Sequence, residues 1–394
     1  MSVTKAYLKW KKNQCRMKKK ADQRQSQVSL AVDETTALPK TDPKSRASPI
    51  TWSNRRHQEV NLYPHNEKPK ANDDPNRKPT ADEIKYALDL AGKFYYFGKG
   101  KIALLDEDNQ YEVIALIEFI PFEKLSEKEK TDLNTVALFL NSVRKFVNTV
   151  GSDSRSWGGN MWMVGWRKAM QSYQLFGRYR DKKAIAAARG EYDKLMKESS
   201  KSSNILGKMF QDFANVAFEE DRELMKKFGI PAFASLDFDS PLEETDCAPN
   251  ISFTRNEFFN PSHFDKDDLS EFAFGLFFPI SRASGEFAGG ALNSDISGGN
   301  FVFPDLKCGI NFGQQNGIVK MVWRARDYRH CTLPSTNIRP YTRSGISLQI
   351  NKKAASTARD IRNGTILKRP SNRGKDPTKF YYGDHQTYMN DTGK

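Results

Sequence analysis

Cysteine and long apolar runs are scarce in this 394-residue chain, and each scarcity excludes a class of protein. The four cysteines, Cys15, Cys247, Cys308 and Cys331, have neither the spacing of a zinc site nor that of a disulfide framework, which indicates a reducing compartment. No apolar run approaches the ~20 residues that span a bilayer, and no apolar segment follows the basic N-terminus. We therefore predict neither a membrane partner nor secretion.

Positive charge is concentrated at the start of the chain. The net charge is +14, and residues 1–80 hold 18 Lys+Arg against 8 Asp+Glu. This segment is poor in periodic apolar residues and rich in polar residues and proline, so we predict that residues 1–80 are a disordered basic tail. Its lysine cluster between Lys9 and Lys20 is either a nuclear import signal, an arm that contacts phosphates, or a solubilising tail. Residues 352–394 are again basic and without periodicity, which predicts a second tail.

The pattern between the tails predicts strands followed by helices. Residues 94–97, 101–105 and 111–120 have strand patterns, and Ser126 with Glu129 forms a capping box ahead of a helix. Residues 161–228 are predicted to be helical throughout, with Gly229 and Pro231 as the stop. We interpret the helices of residues 126–229 as a brace that covers one face of a sheet.

The later part of the chain predicts a barrel of strands. Eight short apolar segments separated by turn residues fit a double-stranded β-helix, or jelly roll, over residues 231–351. They are residues 232–238, 251–254, 271–278, 300–303, 308–312, 318–323, 328–333 and 345–350. The predicted fold class is thus α+β, with one domain over residues 81–351.

Of the five histidines, only His263 and His330 lie in this strand-rich part. His263 and Asp265 are two residues apart, so on an extended strand they project from the same face. Two imidazoles and one carboxylate are the protein ligands of a non-haem iron that also binds a keto acid and oxygen. The sequence therefore predicts a metal site at His263, Asp265 and His330. The alternative is that both histidines are ordinary loop or core residues.

Four short segments carry a resemblance to a known family: Asn260-Pro-Ser-His-Phe-Asp265, Gly298-Gly-Asn-Phe-Val-Phe-Pro-Asp305, Tyr328-Arg-His-Cys-Thr332 and Thr342-Arg343. At these residues the chain resembles the Fe(II)/2-oxoglutarate dioxygenases, and more closely the fungal TET-like branch of the TET/JBP family. The resemblance covers roughly residues 229–351, with weaker likeness back to about residue 84.

This resemblance implies an enzyme that uses Fe(II), 2-oxoglutarate and O2. It implies that His263, Asp265 and His330 hold the iron and that Arg343 forms a salt bridge with the far carboxylate of 2-oxoglutarate. Many relatives place a serine two residues after this arginine, whereas here Gly345 stands at that position and Ser344 comes one residue earlier. Arg339 is the alternative partner of the cosubstrate.

The resemblance also implies DNA as the partner, with 5-methylcytosine as the oxidised base, and hence a nuclear protein. Asp268 falls where the family often carries a residue that touches the target base; the alternative is a solvated turn residue in an acidic cluster. Arg167 and Lys168 either contact the DNA backbone or lie on a solvated helix face.

Two other functions stay open, a protein or small-molecule hydroxylase on the same barrel and an inactive nucleic-acid-binding protein. The sequence does not indicate an oligomeric state.

Overall fold

The computed structural model describes residues 47–53, 59–67, 77–109, 112–151, 156–291, 295–314, 316–335 and 340–390. Its strands are β1 (Ser48–Trp52), β2 (Tyr95–Phe97), β3 (Lys101–Asp106), β4 (Glu112–Pro121), β5 (Gly158–Lys168), β6 (Phe176–Arg178), β7 (Asn250–Phe259), β8 (Ala273–Ser281), β9 (Phe301–Phe303), β10 (Cys308–Ile310), β11 (Gly317–Trp323), β12 (Cys331–Thr332) and β13 (Tyr341–Leu348). Its helices are α1 (Pro64–Glu67), α2 (Ala81–Ala91), α3 (Glu127–Val143), α4 (Lys182–Ala187), α5 (Arg189–Lys197), α6 (Ser199–Phe213), α7 (Asn215–Phe228), α8 (Lys352–Arg362) and α9 (His385–Asn390). None of the helices within these ranges has both the length and the apolar composition that a bilayer crossing requires.

The strands form two sheets that enclose a barrel. The larger sheet has the order β1-β3-β4-β11-β8-β13-β7-β5-β6, and the smaller one has the order β12-β9-β10-β2. Neighbours β7, β13, β8 and β11 are antiparallel and make one wall. The opposite wall is β12, β9 and β10 together with the segment at His263, which bridges to His330. This arrangement is the double-stranded β-helix, and the predicted fold class is confirmed.

Burial alternates along β13, which shows how the larger sheet serves two layers. Ile346 and Leu348 are buried in the core that the sheet shares with the helices. Gly345 and Ser347, which project to the other side of the strand, line the interior of the barrel.

The helices cover the outer face of the larger sheet as predicted. Helix α3 begins with the capping box of Ser126 and Glu129, in which each residue satisfies the other's backbone N–H. Its apolar residues Leu133, Val136 and Leu140 are fully buried in the same core as α6 and α7. Strands β2, β3 and β4 also coincide, within a residue or two, with the segments predicted as strands.

The prediction that residues 161–228 are helical throughout is wrong in its first third. Residues 158–168 form β5, which pairs with β7, and residues 176–178 form β6. The segment alternates between two sides: Trp162 and Val164 enter the helix-facing core, whereas Met161 and Met163 line the barrel. This is a strand period of two, and the helices begin only at Lys182.

The predicted strand over residues 232–238 is also absent. The segment is made of turns, and its apolar residues Ala232, Phe233 and Phe238 are buried individually from an irregular backbone. The apolar content of residues 232–238 predicts a strand, but the segment has no described strand with which its backbone pairs. The short segment around His263 supplies the missing barrel strand.

Part of the predicted amino-terminal tail is folded. Strand β1 extends the larger sheet by parallel pairing with β3, and Leu62 and Tyr63 are fully buried. An edge strand needs only a few residues and one partner, so low apolar periodicity did not reveal it. The basic cluster from Lys9 to Lys20 lies outside the described residues.

The carboxyl-terminal segment, predicted to be a tail, is folded onto the barrel up to Asn390. Helix α8 begins at the N-cap Asn351 and buries Ala354, Ala355 and Ala358 against a core that contains Trp166. Alanines give a weak apolar pattern, and this is why the sequence did not reveal the helix.

Ala355→Glu should test this packing. Ala355 is fully buried, so a carboxylate there has no solvent and we expect the free energy of unfolding to fall by more than about 3 kcal/mol. Urea unfolding of the purified protein measures the loss. Ser356→Glu, on the partly exposed side of the same helix, is the control and should change stability little. Equal stability of the two variants would contradict the packing of α8.

Candidate metal centre and its cavity

Two histidines are brought together by the backbone that closes the barrel. His263 and His330 lie directly opposite each other, and each backbone N–H donates to the other's carbonyl oxygen at 3.0 Å. Their rings are 4.5 Å apart between centroids. Asp265 is fixed next to them because its N–H donates to the carbonyl oxygen of Ala325 at 2.9 Å.

The potential ligand atoms of His263, Asp265 and His330 all lie within 4.8 Å of one another. The Asp265 carboxylate is 3.6 Å from Nε2 of His263 and 3.7 Å from Nε2 of His330. These distances exceed hydrogen-bond length, so the three groups converge without binding each other. Within the described residues they are the one His/Cys/Asp/Glu group with metal-binding spacing.

Hydrogen bonds set the histidine tautomers that a metal requires. Nδ1 of His263 lies 2.9 Å from the carbonyl oxygen of Pro261, and Nδ1 of His330 lies 3.0 Å from that of Tyr328. A carbonyl oxygen only accepts, so each Nδ1 carries the proton and each Nε2 presents a lone pair. Burial and the neighbouring His263 lower the pKa of His330 to about 4, which keeps its ring neutral at neutral pH. This donor set fits Fe(II), which takes two imidazoles and a carboxylate.

Side chains around the three groups hold them in place. Nε2 of Gln349 donates to Asp265 at 3.5 Å. Phe301 stacks on the ring of His330 with centroids 5.5 Å apart, and Trp323 meets the same ring edge-on at 5.5 Å. Arg329, next to His330, binds Asp305 at 2.6 Å and Glu59 at 3.3 Å. Aromatic rings thus pack against His330, and ion pairs fix the residue that precedes it.

The three groups lie in a cavity of about 650 Å³ between the two sheets. Its wall includes aromatic side chains from both sheets, Phe277 and Trp323 from the larger one and Phe301 from the smaller one. Arg167, Lys168 and Tyr179, from β5 and the residue after β6, also line it. The volume lies within the range of ligand-binding pockets.

Arg167 and Lys168 are thus strand residues at a cavity and not part of a helix. The guanidinium of Arg167 lies over the ring of Tyr179, 5.1 Å from its centroid. Burial lowers the pKa of Arg167. Met161, Met163 and Arg167 occupy alternate positions of one strand and all line the cavity. A strand period of two in residues 161–168 is therefore the sequence signal for these cavity residues.

Asp268 is buried, with 6% of its surface exposed, and lines the same cavity. Its N–H donates to the carbonyl oxygen of Asp265 at 3.0 Å, and its carboxylate accepts from Nδ2 of Asn351 at 3.4 Å. The alternative of a solvated turn residue does not hold for this position.

Arg343 lies next to a second, smaller cavity of about 30 Å³. Its Nη1 donates to the carbonyl oxygens of Gly298 and Gly299 at 3.0 and 3.2 Å, and its guanidinium lies 4.1 Å from the ring centroid of Phe312. Burial lowers its pKa to about 9. No carboxylate among the described residues forms an ion pair with it. Phe277 lines both this cavity and the larger one. Arg339 lies outside the described residues.

The sequence matches a known family over more than half of its length. The model of the Tet-like 2OG-Fe(II) oxygenase superfamily matches residues 126–335, more than half of the chain. The match includes His263, Asp265 and His330 and ends before Arg343. Proteins of this family use Fe(II), 2-oxoglutarate and O2. No curated protein matches the sequence significantly.

Solved structures give distant likenesses. NgTET1 in complex with 5mC DNA is similar over 68% of this chain and 88% of that one, at 12% identity and a TM-score of 0.38. An oxidoreductase of the 2OG-Fe(II) oxygenase family from Burkholderia pseudomallei covers 60% of this chain and 88% of its own, at 12% identity and a TM-score of 0.30. A prolyl-4-hydroxylase from Pseudomonas putida covers 60% and 92%, at 10% identity and a TM-score of 0.27. At these values the likenesses do not identify a substrate.

His263→Ala should lower iron affinity by more than about 10-fold, because removal of a ligand costs at least as much as removal of a group that supports one. His65→Ala, at an exposed histidine far from the barrel ligands in sequence, is the matched control. Iron retained after gel filtration of Fe(II)-loaded, anaerobic protein measures the effect. The unfolding curves of both variants should match that of the parent protein. If His263→Ala retains as much iron as His65→Ala, His263 is not a ligand of the metal.

Proposed function

Since this chain belongs to the Tet-like 2OG-Fe(II) oxygenase superfamily, we propose that it oxidises a methylated base in DNA, 5-methylcytosine, to 5-hydroxymethylcytosine and further oxidised forms. The observation that supports an active enzyme is the convergence of His263, Asp265 and His330 in a large cavity. A binding protein without activity would need no such set. A DNA substrate and the basic amino-terminal segment also support a nuclear location.

His263, Asp265 and His330 would hold the iron. When bound, Fe(II) with 2-oxoglutarate and O2 supplies the oxidising power that places an oxygen atom in a C–H bond. The two backbone carbonyls that accept from the Nδ1 atoms keep the imidazoles turned towards the cavity. The carboxylate of Asp265 would offset the charge of the ion. Gln349 limits the rotation of this carboxylate by a hydrogen bond. The aromatic side chains of Phe301 and Trp323 keep water from the buried side of the ligands.

Arg343 would bind the far carboxylate of 2-oxoglutarate. A guanidinium offers two parallel N–H donors to a carboxylate, which a lysine does not. Even with a pKa lowered to about 9, Arg343 is charged at neutral pH. It projects from the same side of β13 as Gly345 and Ser347, which line the metal cavity. For the cosubstrate to reach it, the ring of Phe277 must turn aside, since Phe277 lies between the two cavities.

Asp268 would contact the target base. A base in duplex DNA reaches a buried centre only when it is flipped out of the helix, at a cost of a few kcal/mol. An acidic side chain inside the cavity offers an acceptor to the amino group of cytosine, which helps to offset this cost. Asp268 is held by Asn351 and by the turn at Asp265, so its carboxylate is positioned before the base arrives.

Incubation with Fe(II), 2-oxoglutarate, ascorbate and a methylated duplex should yield succinate and 5-hydroxymethylcytosine together. Mass spectrometry of the digested nucleosides and of succinate measures both, and the same duplex without methyl groups is the control. Succinate without base oxidation would show that the protein is an active oxygenase but would refute DNA as its substrate. A protein or a small molecule would then be the favoured substrate. The formation of neither product would favour a nucleic-acid-binding protein without activity.

Arg343→Gln should raise the 2-oxoglutarate concentration at half-maximal succinate formation by about 10- to 100-fold, the range for loss of a charged hydrogen-bonded pair. Arg343→Lys should recover only part of the loss. Arg144→Gln, at an exposed arginine on the helical side, is the control. If Arg343→Gln needs the same 2-oxoglutarate concentration as the parent, another residue binds the far carboxylate. Arg339 would be the first to test.

A further inference from the structure

The folded carboxyl-terminal segment is strongly basic. Residues 352–390 contain nine Lys+Arg against three Asp. Four of these cations, Lys353, Arg359, Arg362 and Arg369, have acidic partners within 3.1 Å. Lys368, Arg373 and Lys375 have no ion pair with any described carboxylate. The segment thus presents uncompensated positive charge from a fixed backbone.

Backbone hydrogen bonds fix this segment along the β5–β6 hairpin. The N–H of Tyr381 donates to the carbonyl oxygen of Tyr173 at 3.0 Å, and its own carbonyl accepts from Leu175 at 2.8 Å. The N–H of Gly383 donates to Phe176 at 2.7 Å. Nζ of Lys375 lies 5.4 Å from the ring centroid of Tyr173, so Lys375 lies close to the tip of the hairpin.

The last two residues of β5, which directly precede the hairpin turn, are at the cavity. Arg167 and Lys168 line the cavity, and neither forms an ion pair with a described carboxylate. Lys168 and Tyr173 are five residues apart, which is at most about 18 Å of chain. The cations at the cavity and those near Tyr173 can therefore lie along about half of a B-DNA turn, whose length is about 34 Å.

The helices on the opposite side of the larger sheet carry many lysines without such an excess. Lys128, Lys197 and Lys208 each pair with an aspartate four residues away, at 2.5 to 2.7 Å. Helices α3 to α7 together hold 12 Lys+Arg against 10 Asp+Glu, a net charge of +2, whereas residues 352–390 have a net charge of +6. The net positive charge is therefore larger in the carboxyl-terminal segment than on the helices.

We propose that Arg167 and Lys168 together with Lys368, Arg373 and Lys375 form a phosphate-contacting surface for duplex DNA. This inference rests on the proposed function, because it assumes that a base of the same duplex enters the cavity. Arg167 and Lys168 hold phosphates next to the flipped nucleotide. The three residues of the carboxyl-terminal segment hold phosphates further along the helix, which fixes the register of the duplex without reading its sequence.

The test is the affinity for an unmethylated, fluorescently labelled duplex, measured by anisotropy at several salt concentrations without iron or 2-oxoglutarate. The variant is Lys368→Gln/Arg373→Gln/Lys375→Gln. We expect it to bind about tenfold or more weakly than the parent, with the slope of log affinity against log salt smaller by about 2.7, since each phosphate contact contributes about 0.9. The control is Lys128→Gln/Lys201→Gln/Lys208→Gln, which removes the same charge from α3 and α6 and should bind like the parent.

Arg167→Gln gives an independent measurement at the cavity. It should reduce duplex affinity and the salt slope by about one contact while its iron retention stays at the parent level. Thermal unfolding of every variant checks that the fold is intact.

The outcomes separate this inference from the proposed function. Basal succinate formation without DNA should be unchanged in the carboxyl-terminal triple variant, because none of its residues lines the cavity. Parent-like binding and slope in that variant would overturn the surface even if methylated DNA is oxidised. Absence of salt-dependent duplex binding by the parent would also overturn it, whatever the succinate assay shows. Failure of base oxidation alone refutes only the proposed substrate.

Discussion

The centre depends on one antiparallel backbone pair, His263 with His330. Its two hydrogen bonds close the smaller wall of the barrel and at the same time set the separation of the two imidazoles. Because the pair is made by backbone atoms, both side chains stay available for an ion. Asp265 then needs only the strand period of two to join them. Fold closure and assembly of the ligand set are thus the same event.

The sequence was sufficient to predict the barrel and the group formed by His263, Asp265 and His330, because their patterns are local. Two histidines in a strand-rich region, an aspartate two residues from one of them, and a capping box ahead of α3 each have a direct physical reading. It was not sufficient where tertiary contacts decide the structure. Strand β5 exists because β7 pairs with it, and α8 exists because alanines pack on Trp166. Neither partner can be identified from the segment itself.

The sequence could not predict which charged residues line a cavity, because this depends on how the strands pack. The resemblance implies roles for Arg343 and Asp268 but does not predict their surroundings. Arg343 lies next to a small cavity that Phe277 also lines, and Asp268 lies inside the larger cavity. Arg167 and Lys168 line the larger cavity because their segment is a strand and not a helix. The surroundings of each residue follow from the strand or turn in which it lies.

Arg329, which directly precedes His330, connects residues 59–60 to the barrel. It is buried, with 8% exposed, and its guanidinium binds Asp305, Glu59 and the carbonyl oxygen of Val60. Shortening the protein past Val60 would strip two of these partners from a buried cation one peptide bond away from His330. Trimmed versions prepared for crystals or assays should therefore start upstream of Glu59, or the loss of metal they show will come from the trimming.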